Sequence, residues 1–179
     1  MLLAPDELNR RLAKVKLFLT DVDGVMTDGA VYVGLQGEMK RFDIQDGLSL
    51  RMLQMCGIRV GWISKRPSPV TQLRAQELKI DFLAQDLGGK MPAARKVLSE
   101  TGLQFEQVCY VGDDVVDLAL LKAAGTAVGV PNAVAEVKEI VHYITRASGG
   151  HGAIREIAEM ILKAQNKWAS VVEHYANES

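Results

Sequence analysis

The 179-residue sequence predicts an α/β fold, a Rossmann-like, mainly parallel sheet flanked by helices, with one inserted β-hairpin and no second domain. Three observations carry that expectation. Short apolar runs alternate with amphipathic stretches along most of the chain, the signature of βαβ units. Two of those runs end in clustered carboxylates, where open α/β sheets gather ligands. One segment alone, 29–42, breaks the alternation.

In chain order, the first strand is expected at 15–20, an apolar run suited to a strand covered on both faces. Residues 29–42, reading GAVYVGLQGEMKRF, place Val31, Tyr32 and Val33 before a Gly-Leu-Gln-Gly turn and Met39 to Phe42 after it. That is a hairpin pattern directly behind the first carboxylates. Amphipathic stretches predict helices over 47–56, 69–78, 90–100, 116–124, 133–140 and 153 to about 175. Apolar runs predict strands over 58–64, 82–84, 107–111, 127–130 and a short 143–145. Pro92 suits the first turn of its helix, where a missing N–H does no harm.

Composition narrows the setting. With 48% hydrophobic residues the chain can bury a substantial core as one domain over 1–179. A net charge of −1 gives no bulk attraction to nucleic acid or membrane. Cys56 and Cys109 lie in or beside apolar runs and read as small buried hydrophobes, not as a disulfide or zinc site. The first eleven residues carry Asp6, Glu7 and Arg10 and lack the apolar stretch of a signal peptide. No apolar run reaches the ~18 residues of a membrane span. The expected setting is soluble and cytoplasmic.

The run Lys16 to Gly29 carries most chemistry. Residues two apart on a strand share a face, so Asp21 and Asp23 leave the strand end together. Two carboxylates ~4 Å apart repel by roughly 4 kcal/mol at an effective dielectric of about 20. A divalent cation removes that cost, which points to a metal-assisted site with an aspartate as nucleophile. A second cluster, Gly112-Asp113-Asp114-Val115-Val116-Asp117, follows the 107–111 strand. If the two strands are neighbours, their carboxylates converge on a hard cation, and Mg²⁺ fits best. Ser64 at a strand end and Lys90 at a helix start are each ordinary alone, a cap and a solvated lysine. His142, His151 and His174 form no ligand spacing. Trp62 reads as core, and Trp168 as core or a subunit contact.

Taken together, Asp-x-Asp, then Ser64, then Lys90, then Gly-Asp-Asp-x-x-Asp resembles the haloacid dehalogenase superfamily of phosphotransferases. A phosphoacceptor signalling receiver is the alternative from another class. Receivers, however, place the lysine after their acids, whereas Lys90 precedes the second cluster. A closer resemblance is to the superfamily's small capless branch. It rests on Asp21-Val22-Asp23-Gly24-Val25 with Thr27-Asp28-Gly29, the hairpin with Gly37-Glu38, and Arg41-Phe42-x-x-x-Asp46-Gly47. It also rests on Gly112-Asp113-Asp114-Val115-Val116-Asp117-Leu118 and Gly149-Gly150-x-Gly152-Ala153-Ile154-Arg155-Glu156.

The resemblance implies a phosphatase acting through an aspartyl-phosphate. Asp21 would be the nucleophile and Asp23 the general acid and base, with Ser64 and Lys90 holding the phosphoryl group. Mg²⁺ would be bound by Asp21, the Asp23 carbonyl and Asp113, with Asp114 and Asp117 behind them. Implied substrate contacts are Asp23, Asp43, Ile44, Gln45, Asp46, Gly47, Arg51, Arg66, Arg74 and Lys90. The implied substrate is a phosphorylated 2-keto-3-deoxy sugar acid, first 3-deoxy-D-manno-octulosonate 8-phosphate, alternatively a nine-carbon acid 9-phosphate. Such a molecule is anionic at both ends, and arginine offers planar bidentate donors for both. The branch further implies a homotetramer with packed hairpins, in which a glycine-rich tail, about 148–156, reaches a neighbouring site.

The chain departs from that pattern in three places. Ser64-Lys65-Arg66 replaces the usual Thr-Gly-Arg, adding a cation and a Cβ where glycine is free to take positive φ. Asp43-Ile44-Gln45 replaces Asn-x-Arg. The run Asp86-Leu87-Gly88-Gly89 before Lys90 is looser than the family's.

Overall fold

A computed structural model describes residues 2–85 and 87–177, so Asp86 of the divergent run lies outside the described residues. The elements in order are α1 (Pro5–Leu12), β1 (Leu17–Thr20), β2 (Tyr32–Gly34), β3 (Gly37–Met39), α2 (Ile44–Met55), β4 (Arg59–Ser64), α3 (Pro69–Glu77) and β5 (Phe82–Gln85). There follow α4 (Lys90–Thr101), β6 (Val108–Gly112), α5 (Leu118–Ala123), β7 (Thr126–Gly129), α6 (Ala135–Ile140), β8 (Tyr143–Ile144), α7 (Ala153–Ala164) and α8 (Trp168–Ala176).

Six strands form one sheet in the order β5-β4-β1-β6-β7-β8, and every neighbouring pair is parallel. β2 and β3 form a separate antiparallel hairpin. Central β1 is wholly buried, from Leu17 to Thr20, as a strand covered on both faces must be. Right-handed crossovers place α2 and α3 on one face and α4, α5 and α6 on the other. α7 joins the first layer, packing on α1 and α2. From β1 the chain runs out to β4 on one side, and it later returns as β6 on the other. The crevice beyond the carboxyl ends of β1, β4 and β6 is therefore a topological switch point, where such sheets bind ligands.

The differences from the sequence reading have local causes. α1 was unanticipated because only Leu8 and Leu12 anchor it, one turn apart. α2 starts at Ile44 rather than 47 because Asp43 caps it, accepting hydrogen bonds from the N–H groups of Gln45 and Asp46. The expected long last helix is two, α7 and α8, separated near Asn166, which takes a left-handed φ of 56°. Trp62 is core as expected, and Cys109 is buried, but Cys56 is only half-buried at the end of α2. His142 is half-buried, its Nδ1 accepting the Ala127 N–H. No described helix is long and apolar enough to cross a membrane.

Candidate active site

β1 ends by handing Asp21 to the crevice. The Asp21 N–H still donates to the Val111 carbonyl, continuing the sheet for one more residue. Its Oδ1 then accepts the Val22 N–H at 2.7 Å, and its Oδ2 lies 2.7 Å from Lys90 Nζ. Lys90 opens α4 behind Gly89 and is buried. It bridges Asp21 to Asp117, whose Oδ1 is 2.5 Å from the same ammonium.

Asp117 is wholly buried and saturated. Besides Lys90 it accepts the Tyr110 hydroxyl, and its Oδ2 takes the N–H groups of Asp113 and Asp114 at 3.0 and 3.1 Å. It thus folds the loop after β6 and aims Asp113 at Asp21. Asp114 is exposed and caps its own turn through the Val115 N–H. Gly24, at φ +93°, is required where it stands, since a Cβ would collide with the Asp113 carboxylate.

Asp23 points beside them. Lys40 Nζ stands 2.6 Å from its Oδ1 as an ion pair, and both carboxylate oxygens are buried without a hydrogen-bond partner. Across the crevice β4 ends in Ser64, buried, whose Oγ accepts the Arg66 N–H at 3.0 Å. Arg66 pairs with Glu38 of the hairpin, which also accepts the Ser68 hydroxyl. Lys65 takes an ordinary negative φ, so replacing glycine costs no backbone strain here and simply adds an exposed cation. Asp21, Asp23, Ser64, Lys65, Arg66, Lys90, Asp113 and Asp114 line one pocket of about 210 Å³.

The electrostatics ask for a cation. Burial pushes the Asp21 carboxyl up to about 6, with Asp117 adding to it and Lys90 opposing. Asp113 is pushed up to about 8, by burial first and then by Asp21 and Asp117. Burial works against the Lys90 charge, but the Asp21 and Asp117 carboxylates outweigh it and hold the ammonium above its ordinary value. Asp21, Asp113 and Asp117 each offer an oxygen within 4.8 Å of the others. Asp117 already has its donors, whereas Asp113 Oδ1 is buried with none. An all-oxygen set with one orphaned carboxylate atom and more negative charge than one lysine offsets suits a hard divalent cation.

The remaining sequence-assigned residues lie elsewhere in the chain. Asp43 is spent as the α2 cap, and Ile44 and Gln45 are exposed on the first turn of α2. Asp46, expected at the substrate, is wholly buried and instead accepts the N–H groups of Gly152 and Arg155, pinning α2 to the start of α7. Gly47 is buried against Arg74. Arg51 donates to Gln54 and to the Leu78 carbonyl, while Arg74 pairs with Glu77 over the Phe42 ring. None of these lines the carboxylate pocket of its own chain.

Lys40, Glu38 and Tyr110, which sequence reasoning missed, do the bracing instead. Thr27 and Asn132 join them: Thr27 Oγ1 accepts the Gly24 and Gly29 N–H groups, and Asn132 donates to the Gly24 carbonyl. The one sequence cue was the i, i+2 pair Glu38 and Lys40, at the exit of the hairpin. Within one chain the glycine-rich tail packs against the acid loop. The Gly149 N–H donates to Asn132, and a Cβ there would strike the Gly24 carbonyl.

A profile of haloacid dehalogenase-like hydrolases matches residues 67–157. A Yersinia pestis protein named 3-deoxy-D-manno-octulosonate 8-phosphate phosphatase is 39% identical over 90% of this chain and 87% of its own. The chain belongs to the haloacid dehalogenase-like hydrolase family. A Moraxella catarrhalis 3-deoxy-D-manno-octulosonate 8-phosphate phosphatase, crystallised with magnesium, phosphate and KDO, superimposes with a TM-score of 0.93. It is 35% identical, over 96% of this chain and 99% of that one. The cobalt-bound Haemophilus influenzae phosphatase is 37% identical, with a TM-score of 0.87, over 91% of this chain and 99% of that one. Divalent metals thus accompany the fold in these family members, in line with the carboxylate cluster here.

Proposed function

We propose that the chain is a Mg²⁺-dependent phosphatase of 3-deoxy-D-manno-octulosonate 8-phosphate, working as one catalytic domain through an aspartyl-phosphate. The observation that carries this reading is the shared pocket of Asp21, Asp23, Ser64, Lys90 and Asp113. Its likeness to relatives named for that substrate supports the choice of sugar acid.

Asp21 attacks phosphorus with its carboxylate. The new bond joins the Asp21 oxygen to phosphorus, and the bond from phosphorus to the sugar oxygen breaks. Asp23 gives its proton to the departing alkoxide, then takes one from the water that cleaves the aspartyl-phosphate, which restores both residues. Lys90 keeps Asp21 aligned, and with the Ser64 hydroxyl it holds the phosphoryl oxygens. Asp21, the Asp23 carbonyl and Asp113 would hold Mg²⁺, with Asp114 and Asp117 behind them. When bound, the ion neutralises the phosphoryl oxygens. Arg66, released from Glu38, would meet the sugar acid's carboxylate. Asp43, Gln45, Arg51 and Arg74 would reach substrate only in an assembly, and we place them at the meeting of subunits in a homotetramer.

The test is phosphate release from the eight-carbon 8-phosphate and from nine-carbon 9-phosphates, with and without Mg²⁺. The eight-carbon ester should turn over fastest, and Asp21→Asn should lower turnover by roughly three orders of magnitude or more with the fold kept. Near wild-type activity in Asp21→Asn would refute the nucleophile. Preference for a nine-carbon ester would shift the substrate and direct attention to Lys65 on the rim.

A further inference from the structure

The exit strand of the hairpin enters the active site at two points. Glu38 lies in β3 and Lys40 one residue beyond its end. Glu38 takes Arg66 and Ser68 on the phosphate side of the crevice. Lys40 crosses to the acid side, where its ammonium lies 2.6 Å from Asp23 Oδ1 and 3.0 Å from Thr71 Oγ1. The Lys40 side chain is 0% exposed, which is rare for lysine and costs desolvation that only close partners offset. Asp23 is left asymmetric: both oxygens are buried without a hydrogen-bond partner, only Oδ1 has an ion-pair contact with a cation, and the residue lines the pocket.

We propose that Lys40 is the positioning residue of the proton-transfer aspartate. By holding Oδ1 it fixes the carboxylate's rotation, so that Oδ2 faces the leaving oxygen and is the atom that delivers and then collects the proton. Thr71 holds the far side of the ammonium and keeps Lys40 from following Asp23 as it turns. A freely rotating carboxylate would divide its time among orientations, and misplacement of a catalytic group by about 1 Å can cost on the order of 100-fold. The proposal rests on the reading of Asp23 as general acid and base. It adds that the acid's geometry is set by the hairpin and not by the loop that carries Asp23.

Esters that differ in leaving group supply the test. The alkyl ester is the sugar-acid phosphate hydrolysed fastest; the aryl ester is p-nitrophenyl phosphate, whose nitrophenolate departs without a proton. Lys40→Met should lower kcat/KM on the alkyl ester roughly 10- to 100-fold, a share of what general acid–base catalysis supplies. On the aryl ester it should change kcat/KM less than about 3-fold, since transfer to Asp21 needs no proton for that leaving group, whereas kcat on both esters also reports water attack on the aspartyl-phosphate, where Asp23 is the base. Lys40→Arg, which keeps a cation there, should recover most of the alkyl activity.

Asp23→Asn is the benchmark and should show the same split more strongly. If Asp23→Asn does not distinguish the two esters, the acid assignment falls, and the role of Lys40 with it. If Asp23→Asn distinguishes them while Lys40→Met lowers both equally or neither, the Lys40 proposal alone is overturned. Failure of Lys40→Arg to restore the alkyl activity also overturns it. Should circular dichroism show that Lys40→Met is unfolded, Thr71→Val carries the test. It frees the ammonium without orphaning the Asp23 carboxylate, and a leaving-group split must appear there too.

Discussion

Asp21 and Asp113 carry, in the metal-free protein, a cost that depends on pH. Both carboxyls sit above their ordinary values in the fold, at about 6 and about 8. The folded protein therefore binds more protons than the unfolded chain between about pH 4 and pH 8. Stability from these groups is complete below about pH 4 and is lost as pH rises through 6 and then 8. A divalent cation competes with those protons, so its stabilising effect must grow as they leave. The shift in melting temperature on adding Mg²⁺ to chelator-stripped protein should accordingly be larger near pH 8 than near pH 5. An equal shift at both would refute the two carboxylates as ligands, and Asp113→Asn should abolish most of it. The residues behind this cost were legible in the sequence because Asp21 and Asp113 each follow a strand in an acidic cluster of short fixed spacing. Lys40 was not, since it reaches Asp23 from the far end of the hairpin, and Tyr110 was not, since in an apolar strand it reads as core until its hydroxyl is seen on Asp117.

At the scale of elements, the strands and most helices could be read from alternation, and the errors lie at helix ends. α1 escaped notice because two leucines make too short an apolar stripe. The start of α2 depended on whether Asp43 was a ligand or a cap, two uses that look alike in sequence. The end of α3 stores strain that a substitution can release. Lys79, exposed just past the helix, takes a left-handed φ of 52°, a conformation that side chains disfavour and glycine accepts. Lys79→Gly should raise stability by about 0.5–1 kcal/mol, with glycine's greater freedom in the unfolded chain offsetting part of the relief. Thermal or urea denaturation of the two proteins checks it; a fall in stability would show that the turn is not strained.

On the scale of the whole molecule, the hairpin is the part least accounted for by one chain. Tyr32, Val33, Leu35 and Met39 are exposed together, although the strands beneath carry the clamp on Asp23 and Arg66. In the proposed homotetramer these side chains pack on other copies. Leu35→Glu should then shift the protein toward smaller species in sedimentation velocity, and lower turnover of sugar-acid phosphate as the clamp loosens. A protein that stays the same size would remove the hairpin from the interface. α7 buries Ile154, Ile157, Ala158, Ile161 and Leu162 in the core, so removing the chain beyond 147 would take away part of the fold along with any contact to a neighbour.

The acid loop rests on late-arriving parts. The Gly24 carbonyl is held by Asn132, 108 residues further along, and Asn132 in turn carries Gly149. On the ribosome, Asp21 and Asp23 are displayed on the order of ten seconds before Asn132 exists, at ordinary rates of synthesis. A growing chain thus offers its carboxylates to the cell's phosphate esters while their geometry is still undefined. The acid loop takes its final shape only when the last third of the polypeptide closes beneath it.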